Sequence, residues 1–223
     1  MSLDLPRIRA LCFDVDGTLS DTDDYYVARL SSYLRRLPFL HKPEQAARRL
    51  AMWVESPGNF VMGLADRMHV DDQLVGVMNW LFRHARQRPG LLPSIPGVRP
   101  LLDDLRHRYP MAVVSARNER TTLAYLEHAG LRSHFQVIVT ALSARRTKPF
   151  PDPVLLAARE LGVSPGSCLM IGDTTVDIRA GRAAGAQTVG VLCGFGEQDE
   201  LRRNGADLIL PSTADLGRVL LGQ

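Results

Sequence analysis

The feature that most constrains this chain is a recurrence. Short apolar, β-branched runs fall at residues 8–13, 111–114, 136–140, 168–171, 188–192 and 208–210. They show little polar alternation, which is how strands covered on both faces read. The segments between them have helical spacing. Val98, Leu101, Leu102 and Leu105 share one helix face; Leu123, Tyr125, Leu126 and Ala129 mark another, with Gly130 as its stop. Segment 153–161 repeats the pattern and ends at Gly162. The alternation predicts an α/β fold, a doubly wound and mostly parallel sheet.

One region breaks it. Between about residues 21 and 95 there is no strand pattern. Segments 25–37, 43–54 and 71–86 read as helices, punctuated by Pro38, Pro57-Gly58 and the stretch from Pro89 to Pro93. That is too much chain for one crossover helix. The expectation is a core at 1–20 and 96–223 with an all-helical domain inserted at 21–95. A chain of 223 residues suits one core domain carrying a smaller insert.

Composition excludes several classes. The chain is 45% hydrophobic and 23% charged, ordinary for a soluble globular protein. No apolar run approaches the ~20 residues that cross a bilayer, and the N-terminus lacks a signal-peptide pattern, so a cytoplasmic protein without a membrane partner is expected. The net charge of +3 comes from scattered pairs (Arg35-Arg36, Arg48-Arg49, Arg145-Arg146), read as solvated helix faces. No recognition motif accompanies the charge, and no nucleic-acid partner is expected. The cysteines Cys12, Cys168 and Cys193 are far apart, without a CxxC, and read as buried, reduced thiols.

In an open parallel sheet, ligands bind beyond the carboxyl ends of the strands. Strand one ends in Asp14 and Asp16, and strand two in Ser115. Lys148 lies in the loop beyond strand three, and strand four is followed by Gly172-Asp173 and then Asp177. Four carboxylates, a hydroxyl and an ammonium should therefore converge on one edge. Close carboxylates repel and need a cation. An all-oxygen cluster suits Mg²⁺, and with Lys148 it suits a ligand rich in anionic oxygens, of which phosphate is the obvious one. One carboxylate as nucleophile and a second moving protons would divide phosphoryl transfer into two steps. Taken singly, each residue has a plainer reading. The aspartates and Ser115 would be helix or turn caps, and Lys148 would be solvated. The joint appearance at successive strand ends, with Gly17 and Gly172 beside the acids, favours the site.

The stretches FDVDGTL, VVS, KPFPDP and IGDTTVDIRAG, in that order, resemble the four signature motifs of the haloacid dehalogenase-like hydrolase superfamily. The insert falls where that family carries its helical type-1 cap. The resemblance implies Asp14 as nucleophile forming an aspartyl-phosphate, and Asp16 as acid and then base. Gly17 and Thr18 would shape the turn, and Ser115 and the amide of Ala116 would bind phosphate oxygens. Lys148 would pair with phosphate and nucleophile. Mg²⁺ would be bound by Asp14, the backbone carbonyl of Asp16 and Asp173, with Asp177 holding the metal shell or binding the metal less directly.

The same resemblance separates subfamilies. Dehalogenases lack an equivalent of Asp16, and its presence favours a phosphate ester, whose leaving alcohol needs a proton. Phosphosugar mutases with this cap carry a histidine where Tyr26 falls. A phosphonatase would need a cap lysine, and Lys42, in an apparent exposed turn, is discounted. The tail GVLCGFGEQDELRRNGADLILPS resembles phosphoglycolate phosphatase-like members. The expected function is a Mg²⁺-dependent phosphatase for a small phosphorylated metabolite, as a monomer or homodimer. The alternatives are a phosphomutase and a non-catalytic regulator with the same fold. Arg117, unusual after the serine motif, either meets a second anionic group or lies exposed, and exposure is the expectation. Tyr25, Tyr26, Trp53, Asn59, Arg67 and His69 are the polar or aromatic residues of the insert. His84, His107, His128 and His134 read as surface or capping residues.

Overall fold

A computed structural model describes residues 3–21 and 92–222. The expected helices of the insert, with Tyr26, Lys42, His84 and the insert's other singled-out residues, lie outside the described residues.

The apolar runs become six strands: β1 (Ala10–Phe13), β2 (Met111–Val114), β3 (Val137–Val139), β4 (Cys168–Gly172), β5 (Gln187–Val191) and β6 (Leu208–Leu210). All pair in parallel in the order β3-β2-β1-β4-β5-β6. The described helices are α1 (Val98–Leu105), α2 (Glu119–His128), α3 (Asp152–Glu160), α4 (Thr175–Ala183), α5 (Gln198–Arg203) and α6 (Leu216–Leu220). The doubly wound expectation holds. The chain starts in the middle of the sheet, builds outward to β3, then returns to β4 on the other side of β1. Strand order therefore reverses between β1 and β4, the place where such sheets open a crevice.

Side-chain alternation divides the core into two layers. Leu11, Phe13, Met111, Val113, Leu169 and Ile171 face α1, α2 and α6 through Leu102, Leu105, Tyr125 and Leu216. Ala10, Cys12, Ala112, Val114, Cys168 and Met170 face Val154, Ala157 and Ala158 of α3 and Ala180 of α4. Large residues on one face and small ones on the other let α3 and α4 pack closely against the sheet. Cys12 and Cys168 are buried as expected. Cys193 is only half-buried, because it follows β5 where the chain leaves the sheet; its Sγ donates to the Gly17 carbonyl at 3.4 Å.

The chain near residues 19–21 runs beside that near residues 93–95. Ser20 and Ser94 form an antiparallel bridge. Asp21 N donates to the Pro93 carbonyl at 2.9 Å, and Ile95 N to the Leu19 carbonyl at 3.0 Å. Among the described residues, no helix is long and apolar enough to cross a membrane.

Candidate active site

The loop after β1 is folded around a single carbonyl. Val15 O accepts from the amides of Thr18, Leu19 and Ser20 at 3.4, 2.9 and 2.8 Å, and Gly17 N donates to Ser20 O at 2.9 Å. Gly17 makes this tightness tolerable with a φ of 68°, a left-handed conformation that side chains resist. Asp14 N donates to Ile171 O at 2.9 Å, so the sheet ladder itself places Asp14 beside β4.

Asp14 is 6% exposed. Lys148, only 3% exposed, reaches it from the β3–α3 loop, and its Nζ lies 2.6 Å from Asp14 Oδ1 and 2.6 Å from Asp177 Oδ1. The plain reading of Lys148 as a solvated residue is therefore overturned. Burial works against the Lys148 charge, but the Asp14 and Asp177 carboxylates outweigh it and hold the ammonium above its ordinary range. Burial pushes the Asp14 carboxyl up to about 7; Lys148 opposes this, while Asp177 and Asp16 add to it.

Asp177 also serves the fold. Its Oδ2 accepts from Thr174 N at 3.1 Å and Thr174 Oγ1 at 2.6 Å, a capping box that starts α4. Asp177 thus starts α4 with one oxygen and holds Lys148 with the other. Asp173 is fully buried; its Oδ2 accepts from Phe195 N at 2.9 Å, and Thr18 Oγ1 reaches its Oδ1 at 3.4 Å. A Cβ on Gly17 or Gly194 would collide with the Asp173 carboxylate, and one on Gly172 with that of Asp177. The glycines beside the acids are thus explained by the space the carboxylates need. Gly194 and Phe195 are site residues that sequence reasoning missed; the only signal was the Gly-Phe-Gly stretch in the tail.

Asp14, Asp173 and Asp177 bring one oxygen each within 4.8 Å of one another, all three buried. Three such carboxylates against one ammonium leave an excess of buried negative charge, and their all-oxygen donors fit a hard divalent cation.

On the β2 side, Ser115 is buried and extends the ladder, its N donating to Val139 O at 2.9 Å. Its Oγ accepts from Arg117 N at 3.0 Å, and the hydroxyl keeps its own hydrogen as a donor. It does not cap α2: Asn118 does, through Thr121 N at 2.9 Å. Ala116 lies exposed at the same strand end. Arg117 corrects an expectation. It is not a solvated side chain. Its Nε donates to Asp16 Oδ2 at 2.6 Å and its Nη2 to Asp16 Oδ1, with the two side chains 14% and 22% exposed. The bidentate fit between fork and carboxylate draws it inward. His134 is likewise buried rather than at the surface, the Leu131 carbonyl accepting from its Nδ1 at 3.1 Å and its Nε2 lying 2.9 Å from Asp103 Oδ1, while His107 and His128 are exposed.

All the acids, Ser115 and Lys148 therefore gather at the carboxyl edge around the β1/β4 switch. A phosphoglycolate phosphatase from Chromobacterium violaceum is 31% identical over 222 residues, spanning 96% of this chain and 97% of that protein. The pyrophosphatase PpaX of Bacillus pumilus is 30% identical over 210 residues, 94% of each. A solved hydrolase from Pseudomonas syringae superposes with a TM-score of 0.75 at 25% identity, covering 96% of this chain and 98% of that one. The model of the haloacid dehalogenase-like hydrolases matches residues 11–191, and with this edge in place the chain belongs to that family.

Proposed function

We propose that this phosphoric monoester hydrolase releases phosphate from a small phosphorylated metabolite, with Mg²⁺ as cofactor and Asp14 as nucleophile. The observation that carries the reading is the buried Asp14 carboxylate, fixed by Lys148 at 2.6 Å within a cluster of three buried aspartates. Asp14 attacks phosphorus as the bond to the ester oxygen breaks, and Asp16 gives its proton to that oxygen. Water then attacks the aspartyl-phosphate, Asp16 takes the water's proton, and the Asp14 carboxylate returns with free phosphate. The Ser115 hydroxyl and the Ala116 amide donate to phosphoryl oxygens, and Lys148 balances charge. Gly17 and Thr18 hold the turn. Asp14, Asp173 and the Asp16 carbonyl would hold the cation, with Asp177 fixing Lys148 and the surroundings. When bound, the cation would polarise the phosphoryl group and offset its charge.

The neighbouring segments at Ser20 and Ser94 suit a domain border near residues 21 and 95, with the insert acting as the specificity cap. The relatives' names, a phosphoglycolate phosphatase and a pyrophosphatase, suggest a small anionic substrate such as phosphoglycolate or a sugar phosphate. The test is Asp14→Asn. Turnover of 4-nitrophenyl phosphate should fall by on the order of 10⁴-fold or more while the circular dichroism spectrum is kept. Wild-type rates in that variant would exclude Asp14 as nucleophile. A panel of phosphate esters and pyrophosphate, each with Mg²⁺ and with EDTA, identifies the substrate class. Conversion of hexose 1-phosphate to an isomer without free phosphate would replace the phosphatase by a mutase.

A further inference from the structure

Arg117 is held on three sides. Its amide donates to Ser115 Oγ at 3.0 Å. Its guanidinium lies over the Tyr125 ring, 5.6 Å from the centroid. Its fork is closed on both oxygens of Asp16. Tyr125 is itself buried, and its hydroxyl donates to Leu19 O at 2.8 Å and meets Ser94 Oγ at 3.1 Å. The β2–α2 segment therefore grips the 14–20 loop at two points, Asp16 through Arg117 and Leu19 through Tyr125.

From this geometry we infer that Arg117 is a positioning residue for Asp16, fixing the plane and direction of the carboxylate that moves protons. The inference rests on the reading of Asp16 given above. A planar guanidinium sets a carboxylate's orientation in a way that a point-like ammonium cannot. The Nε and Nη2 face of the fork is turned to Asp16. In the first half-reaction, the electron pair of the breaking bond goes to the ester oxygen and the Asp16 proton goes with it. In the second, a water proton goes to Asp16 as the phosphorus–Asp14 bond breaks. Arg117 keeps its protons throughout. With its Nη2 contact opened, the Nε contact at 2.6 Å still tethers Oδ2 while Oδ1 carries the proton.

The test compares phenyl phosphate with 4-nitrophenyl phosphate in the full-length enzyme with Mg²⁺. The two are close in shape, but only the phenolate needs much help from a proton. Since kcat/KM reports the steps up to departure of the leaving group, it isolates the acid role. In Arg117→Met, which keeps packing over Tyr125, kcat/KM for phenyl phosphate should fall about 10-fold or more while that for 4-nitrophenyl phosphate changes by less than about 3-fold. Arg117→Lys should give the same split at smaller size and serves if the methionine variant does not fold. Equal losses on both substrates, as from a phosphate-binding or merely structural arginine, overturn the inference, and so does no loss on either. Asp16→Asn is the separate control. It should show a larger split; if it shows none, the proton-carrier reading of Asp16 fails whatever Arg117 does.

Discussion

Asp14 and Asp16 are two residues apart on one loop, yet they occupy opposite settings. Asp14 lies beneath the surface, its amide in the sheet ladder and its carboxylate on a lysine that is itself buried. Asp16 is partly open, and its partner arrives from the neighbouring strand end on a side chain stacked over an aromatic ring. The difference lies in their partners: Lys148 from the β3–α3 loop for Asp14, Arg117 from the β2 strand end for Asp16. In the proposed reaction a group that attacks phosphorus at one fixed distance gains from immobility. A group that must give a proton and later take one gains from a partner that can let go of one oxygen. The proposed chemistry asks for both on one loop, and the sheet supplies the first while side chains supply the second.

The sharpest way to break this contrast is to remove each cation in turn. Lys148 stands between two buried carboxylates, and deleting it leaves them facing each other without a charge partner. Lys148→Met should lower stability by about 3 kcal/mol or more without metal, since an unpaired buried charge is costly. Added Mg²⁺ should restore part of that loss. Turnover should fall on the order of 10²-fold or more. Arg117→Met removes a pair whose side chains are 14% and 22% exposed, closer to solvent than Lys148, and should cost less, about 1 kcal/mol. Urea unfolding of both variants with and without Mg²⁺ measures the contrast. Equal losses would show that the two settings are not energetically distinct.

A smaller effect separates the settings by function. Gly17 directly follows Asp16, but its bare Cα faces Asp173, not Asp16. Gly17→Ala would meet both a left-handed φ and the Asp173 carboxylate, and should destabilise by about 2 kcal/mol. Moving Asp173 should also raise the Mg²⁺ concentration for half-maximal activity by about 10-fold. The ratio of phenyl to 4-nitrophenyl phosphate activity should stay where it is, because Asp16 and Arg117 are untouched. A shift in that ratio would mean that the two halves of the loop move together.

The deep setting was legible in the sequence and the shallow one was not. Strands buried on both faces write themselves as contiguous apolar letters, so all six were found, with ends displaced by a residue or two. Gln187 hid the start of β5 because its polar side chain is satisfied by the backbone of Asp4, at 2.6 and 3.0 Å. The acids, Ser115 and Lys148 were found because each follows a strand or its loop, and a parallel sheet brings strand ends together. The partner of Arg117 lies 101 residues away, and nothing local distinguishes an arginine that reaches a carboxylate from one that reaches water. His134 was misjudged for the same reason, its carboxylate partner Asp103 lying 31 residues away. Gly194 and Phe195 left only a faint mark, because a glycine chosen to leave room for Asp173 looks like any turn glycine.

The mildest perturbation tests whether the shallow setting depends on its aromatic floor or only on its charges. Tyr125→Phe keeps the ring under Arg117 and removes the hydroxyl that donates to Leu19 O. Burial pushes this phenol up to about 12, so it is a protonated donor throughout the range in which the enzyme can be assayed. The loss should therefore be independent of pH: about 1 kcal/mol of stability, read from thermal unfolding at pH 6 and pH 8. The leaving-group ratio should move by less than about 2-fold, since the fork on Asp16 keeps its stacking surface. A shift as large as that of Arg117→Met would instead place the grip on Leu19 in control of Asp16, and the arginine would then be one part of a larger clamp on the 14–20 loop.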